Sequence, residues 1–358
     1  MTGKVNTQRS RGFWAESWQR FRGRWLPMSA LLIVIGLAVV AILAPAIAGT
    51  KPVICKYKGR LYFPAMGYWK RSWENPVFFQ DQFYKRYPEN LKEKDPLSWA
   101  IYPLVFQDPF RRVRDGEVEG QPGNQPNAAP NGNNWFGTDQ SGVDVFAQMV
   151  HGTSIALLVG FVSMGIAAVI GITVGAFAGF FGSWIDVVLS RLIELVMCVP
   201  TLVLILALLA VIEKPTIWHL MAIIGCTRWT GIARLTRAEF LKLKELEYVT
   251  AARALGVGNV AIMFRHVLRN ALAPILVPIT FGIAAAILIE SGLSFLGFGA
   301  PPPNPSWGTL LNAGRTNMDS WWLVLFPGLA IFMTVLAYNL IGEGLQEATD
   351  PRLRQSQH

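Results

Sequence analysis

The run Glu247-Tyr-Val-Thr-Ala-Ala-Arg-Ala-Leu-Gly256, followed by Phe264-Arg-His-Val-Leu-Arg-Asn270-Ala-Leu-Ala-Pro274, decides the reading of this chain. It belongs to a charged stretch, Arg234 to Asn270, that lies between two strongly apolar segments. Five Lys and Arg fall between Arg234 and Arg253, and Arg265 and Arg269 precede the next apolar run. Tyr248, Val249, Ala251, Ala252 and Leu255 recur at helical spacing, and Gly256 and Gly258 stand where such a helix would stop. A helix that presents Ala251, Ala252 and Gly256 lets another backbone approach closely, because no bulk holds the two apart. On charge alone the stretch reads as an ordinary basic loop between membrane spans, with Lys242 and Lys244 on its solvated side.

Composition agrees with a membrane setting. The chain has 358 residues, 52% hydrophobic and only 15% charged, beyond what a water-soluble domain carries. Its formal charge of +9 lies beside apolar runs, which suits anionic lipid headgroups and argues against nucleic acid. Cys55, Cys198 and Cys226 show no paired spacing, so neither a disulfide framework nor a zinc site is expected. His151, His219, His266 and His358 likewise lack ligand spacing and read as surface or interface residues.

Residues 1–27 read as a cytoplasmic amphipathic segment. Trp14, Trp18, Phe21 and Trp25 form one stripe with Arg11, Arg20, Arg22 and Arg24 beside it, as in a helix lying among headgroups; the alternative is a helix packed on protein. Met28 to Ala48 is a first span of 21 uncharged residues, enough to cross a ~30 Å core, with its Arg-rich side in the cytoplasm. Residues 49–140 then form an extracytoplasmic insert. Its β-prone runs (Val53-Ile54, Leu61 to Phe63, Val77 to Phe79, Trp99 to Tyr102) predict a small folded unit. Its Gly, Pro, Asn and Gln content over 116–134 predicts a flexible linker. The 13 Lys/Arg there do not reverse the topology, since long translocated segments escape the positive-inside bias.

Residues 141–345 read as a five-helix core that includes the 234–270 loop, and 346–358 as a cytoplasmic tail. The expected spans are Ile155 to Ala178, about Val187 to Ile212 through Pro200, Trp218 to Leu235, Ala271 to Ser291, and Trp321 to Ile341. Gly160, Gly165, Gly171, Gly175 and Gly179 are expected to allow close helix packing. Arg228 interrupts the Trp218 span and must snorkel or pair inward. Six spans would put both termini and the 234–270 loop on one side. Asp139 and Asp144 could be a metal or acid/base pair, but without a further ligand in register they suit a turn and a helix cap.

The Glu247–Pro274 run resembles the coupling loop of permeases of ATP-binding-cassette (ABC) importers, in the dipeptide/oligopeptide/nickel branch. The Ala251-Ala252-x3-Gly256 core and its spacing are intact, while Thr250 replaces a leading Glu, His266 an Ile and Arg269 a Pro. Further blocks carry the same resemblance: Asn134-Trp-Phe-Gly-Thr-Asp-Gln-Ser-Gly-Val-Asp-Val-Phe146 leading into His151-Gly152, with Val143 in place of an Arg; Glu290-Ser-Gly-Leu-Ser-Phe-Leu-Gly-Phe-Gly299; Pro301-Pro-Pro-Asn-Pro-Ser-Trp-Gly308; and Asn339 through Arg354. Lys51-Pro-Val-Ile-Cys-Lys-Tyr-Lys-Gly-Arg-Leu-Tyr-Phe-Pro64 is similar to the insert of the microcin C/oligopeptide permease subgroup.

This resemblance implies an all-α polytopic membrane protein with the six-helix, type I, MetI-like permease fold. It implies a bacterial inner-membrane subunit, both termini cytoplasmic, that forms half of a path for peptides or peptide-like compounds. The implied ATPase-coupling helix holds Glu247, Tyr248, Thr250, Ala251, Ala252, Arg253, Leu255 and Gly256. Implied partners are a second permease subunit, two cytoplasmic ATP-binding subunits, an extracytoplasmic substrate-binding protein and membrane lipids.

No phosphate loop, Rossmann glycine pattern, zincin or nucleophile-elbow motif occurs in the sequence, so no catalytic residue, cofactor or metal is expected, and ATP would be used by a partner subunit. Glu194 and Glu290 are acids in or beside spans, candidates for the translocation path or for a structural role such as pairing with Arg191. Two alternatives stand beside the importer: a membrane receptor using the 49–140 insert to bind ligand, and a permease for nickel or another small solute.

Overall fold

The computed structural model describes residues 13–69, 95–117, 122–299 and 304–349. The expected Val77–Phe79 strand, His358 and the end of the Asn339–Arg354 block lie outside them. The chain starts with α1 (Phe13–Arg22) and α2 (Trp25–Ile47). Trp14 and Trp18 are exposed on α1, while Phe21 is buried, so the aromatic stripe divides between solvent or lipid and protein. The two readings of this segment each describe one half of the stripe.

The insert contains an antiparallel sheet in the order β2-β1-β3, from β1 (Ile54–Tyr57), β2 (Arg60–Tyr62) and β3 (Trp99–Ile101). The β1–β2 turn is Lys58-Gly59, both at positive φ, which is the backbone that matches strand twist in a two-residue hairpin. Residues 104–105 cap α2: Leu104 and Val105 donate backbone N–H groups to the carbonyls of Ala46 and Ile47, at 3.2 and 2.9 Å. These are carbonyls that the helix end leaves without an internal partner.

The expectation of a flexible linker does not hold for its described part. Asn124 and Asn134 are buried, Asn124 donates to Gln107 at 2.8 Å, and Asn134 donates to Asp144 at 2.8 Å. Amide-rich sequence here supplies hydrogen bonds for a buried junction; composition alone does not separate the two uses.

Eight helices follow or complete the bundle. They are α3 (Val145–Phe181), α4 (Ser183–Met197), α5 (Thr201–Ala210), α6 (Ile217–Leu243), α7 (Glu247–Ala254), α8 (Asn259–Phe295), α9 (Trp307–Thr316) and α10 (Trp322–Thr349). Four of the helices, α2, α3, α8 and α10, are long and apolar enough to cross a membrane, and a fifth span exists if α4 and α5 count as one. The single span expected over 187–212 is two helices bent by 82°. Pro200 explains the break: it lacks an N–H and disfavours helical backbone at the preceding residue. α6 has 27 residues but carries Arg228, Arg234, Arg237 and Lys242, so length and apolarity alone do not count it as the sixth.

Glycine faces bring α3 and α6 together. A Cβ on Gly171, Gly175 or Gly179 would lie 2.7, 2.3 or 2.6 Å from the carbonyl oxygen of Trp229, Ala233 or Arg237. Gly225 on α6 answers from the other side, against Ser163 and Ile166. Gly165 is the exception, with open space where its side chain would be. α8 packs on α3 through Ile283 and Ile287 against Gly160, and α10 packs on α8 through Gly342 against Phe281. Among the described residues this is an all-helical membrane bundle with one small sheet.

Candidate functional site

Helix α7 lies between the charged end of α6 and the start of α8. Leu246 precedes it, and its end is a left-handed glycine cap. Gly256 has φ +78°, its N–H donates to Arg253, and the Val257 N–H reaches back to the Ala252 carbonyl at 3.1 Å. That pair of bonds is the motif by which a glycine just past a helix satisfies the last free carbonyls. No atom lies within 4 Å of a Cβ built on Gly256.

The two faces of α7 are distinct. Val249 and Ala252 are buried in the same core as Phe240 at the end of α6 and Ile262, Met263 and Val267 of α8. Tyr248 is half-buried, and its hydroxyl has no hydrogen-bond partner among the described residues. Glu247, Thr250, Ala251, Arg253, Leu255 and Gly256 are exposed, Leu255 at 83%. The expected contact face of Ala251, Ala252 and Gly256 therefore needs correction: Ala252 packs inward, because positions 249 and 252 are one turn apart on the same side. Ala251, Ala254 and Leu255 are what the helix offers outward.

Three contacts tie α7 and its surroundings to the spans. The Arg253 guanidinium lies over the Phe180 ring of α3 at 5.9 Å. Asp186 of α4 accepts two bonds from Arg237 of α6, the one from Nη2 at 2.7 Å. α8 opens with a π-helical stretch, Ile262–Val267, directly beside α7. Lys244 is also not a solvated residue. It is half-buried, with its Nζ close to Gly182 at the start of α4.

The opposite end of the bundle holds a second polar cluster. Asp144 caps α3 by accepting from the Ala147 N–H at 2.8 Å, and Asp139 accepts from Ser141 and Val143 and from Gln148. These are turn and cap bonds. Burial pushes the Asp144 carboxyl up to about 6, against the lowering effect of its bonds from Asn134 and Ala147. His151, read from the sequence as a surface or interface residue, is buried within the chain: its Nε2 lies 2.8 Å from the Ala48 carbonyl at the end of α2. Trp307, in the Pro301–Gly308 block but given no role by the sequence, is the largest fully buried side chain among the described residues, and its Nε1 donates to the Met149 carbonyl at 3.1 Å.

The two candidate acids separate. Glu194 pairs with Arg191 at 2.6 Å, one turn away on α4, with both side chains exposed. Glu290 is buried and accepts from Ser294 Oγ at 2.7 Å, with a further side-chain bond from Ser306 at the N-cap of α9. It joins α8 to α9. Neither acid lines the cavity of about 300 Å³ at the α4–α5 bend, whose wall includes Met197, Thr201, Thr227, Arg228, Thr230 and Pro278.

These features define a polytopic helical membrane protein whose inward-packed, outward-exposed short helix can receive a partner. Residues 171–355 match the family described as binding-protein-dependent transport system inner membrane component. Residues 12–58 match the N-terminal TM domain of oligopeptide transport permease C. The dipeptide transport system permease protein DppC of Alkalihalophilus pseudofirmus is 39% identical over 226 residues, 63% of this chain and 74% of that protein. The peptidoglycan transport system permease protein YejE of Agrobacterium fabrum is 32% identical over 356 residues, 94% of this chain and 92% of that protein. A solved inward-facing MetNI methionine ABC transporter aligns at TM-score 0.44 and 16% identity, over 56% of this chain and 96% of that chain.

This chain belongs to the family of binding-protein-dependent transport system inner membrane components. It is a multi-pass membrane permease. The receptor alternative falls with that assignment.

Proposed function

We propose that this chain is the permease subunit of an ATP-driven importer of peptides or peptide-like compounds. The carrying observation is the similarity over 94% of the chain to a peptidoglycan transport permease, joined by a dipeptide permease over the core. The breadth of the first alignment takes in the 49–140 insert, which favours a peptide-like cargo over nickel or another small solute.

In this reading the 234–270 loop, both termini and the 346–358 tail face the cytoplasm, and the insert lies outside. A cytoplasmic ATPase subunit docks on Ala251, Ala254 and Leu255 of α7. Val249 and Ala252 then pass its motion to α6 and α8, because a close-packed contact transmits displacement instead of absorbing it. ATP is bound by that partner and no cofactor by this chain. A second permease chain completes the path, two ATP-binding subunits complete the complex, and a binding protein delivers cargo at the insert side.

The test is reconstitution of the chain with its companion subunits in proteoliposomes, followed by uptake of labelled alanine peptides with and without ATP. ATP-dependent uptake is expected, together with recovery of the ATPase on affinity-tagged permease. Uptake that proceeds equally without ATP, or a permease that never retains an ATPase, would overturn the proposal.

A further inference from the structure

Among the described residues, Arg228 is the cation that interrupts the apolar part of α6 near its middle. It stands eleven residues after Ile217, the first residue of α6, hence about 17 Å along the helix at 1.5 Å per residue. In the importer reading, where α6 crosses the membrane from Ile217, that is close to the middle of a ~30 Å apolar core. A charge at this depth is costly and persists where it meets a counter-charge or a polar cavity. Among the described residues Arg228 has no hydrogen-bond or ion-pair partner. The acids of the neighbouring helices are engaged elsewhere: Asp186 with Arg237, Glu194 with Arg191, Glu290 with Ser294.

What Arg228 does meet is the cavity at the α4–α5 bend. The cavity holds about 300 Å³, and no Asp or Glu lines it. Thr201, Thr227 and Thr230 place hydroxyl-bearing side chains in the same wall. α5 begins there, at Thr201, with no side-chain cap on its N-terminus. Free N–H groups at a helix start and a guanidinium favour the same thing, a negative group. The planar fork of arginine pairs with a carboxylate through two parallel bonds. Arg228 is only partly buried, so a carboxylate bound to it keeps some water and is released as well as captured.

We propose that Arg228, at the wall of the α4–α5 bend cavity, receives the carboxylate of the peptide in transit. The proposal rests on the peptide-importer reading and names the group on the cargo that the path recognises. The same chemistry could be met by a carboxylate of the second permease chain, and the experiment separates the two sources.

The probes are an alanine tripeptide and an alanine pentapeptide, each as free acid and as C-terminal amide, in proteoliposomes of the assembled transporter. Wild type is expected to import the acids at least about tenfold faster than the amides, the size of one hydrogen-bonded charge pair. Arg228→Gln should abolish the preference, bringing acid uptake down to the amide rate; Arg228→Lys should keep part of it. Co-purification of the companion subunits with each variant checks assembly. An unchanged acid preference in Arg228→Gln overturns the proposal. A parallel fall of acid and amide uptake with loss of the second permease chain also overturns it, and assigns Arg228 to a subunit contact. Import of neither acid nor amide by wild type is a different failure, that of the peptide reading itself.

Discussion

Gly256 shows what a single residue contributes at the end of α7. Its φ of +78° is a conformation that a side chain disfavours, while open space surrounds the position. Substitution therefore strains the backbone by about 1 kcal/mol without a clash inside the chain. Gly256→Leu is expected to leave a folded, membrane-inserted protein whose ATPase recruitment is weakened, because the helix end shifts and gains bulk on the exposed side. The matched control is Lys242→Ala, an exposed charge whose removal costs little. Lys244 is unsuitable for that purpose, since it is half-buried against the start of α4. Pull-down of the ATPase by detergent-solubilised permease measures both. Loss of binding in Lys242→Ala with none in Gly256→Leu would mean the loop acts through charge and not through the shape of α7.

At the scale of elements, the α3–α6 pair is the axis of the bundle, and its packing depends on side chains that are missing. Gly171, Gly175 and Gly179 recur every fourth residue, so they form one stripe, and α6 backbone fills the space where their Cβ atoms would be. A side chain at 175 would have to displace the Ala233 carbonyl, 2.3 Å from its Cβ, along with Thr236. Gly175→Leu should cost roughly 3 kcal/mol or more, the upper part of the range for overpacking, and lower the yield of membrane-inserted protein severalfold. Gly165→Leu, in the same helix but facing open space, should leave yield and thermal stability near those of wild type. Fluorescence-detected size exclusion of the two variants decides it. Equal behaviour would show that the stripe does not set the helix spacing.

For the whole molecule, the proposed function depends on orientation, because a cytoplasmic ATPase can reach α7 only if α7 lies on that side. A chain in which Cys55, Cys198 and Cys226 are replaced provides the background for single-cysteine labelling. Leu104→Cys, exposed in the insert, should react with a membrane-impermeant maleimide in spheroplasts. Glu245→Cys, exposed just before α7, should react only in inverted vesicles or after permeabilisation. Reaction of position 245 in intact spheroplasts would place α7 outside and remove it from any ATPase.

Local sequence was enough for the helical membrane class, for the apolar segments of α2, α3, α8 and α10, and for the place where α7 must end, but not for the break at Pro200. Those follow from local chemistry: runs without charge partition into lipid, and a glycine past a helical pattern terminates it. It also carried the distinction between Gly-rich packing faces and the Arg228 interruption, though not their partners. Packing against α6 and α8 fixes which side of α7 faces out. Ala251 and Ala252 are adjacent in sequence and identical in chemistry, and only the docking of Val249 and Ala252 against Phe240 and Ile262 tells them apart. Tertiary packing likewise turned an expected linker into a buried amide junction and a histidine read as surface or interface into a cap for α2. Polar side chains of that kind read the same whether water or a neighbouring element satisfies them. The partner is chosen by residues up to 103 positions away, and no local pattern records so distant a pairing.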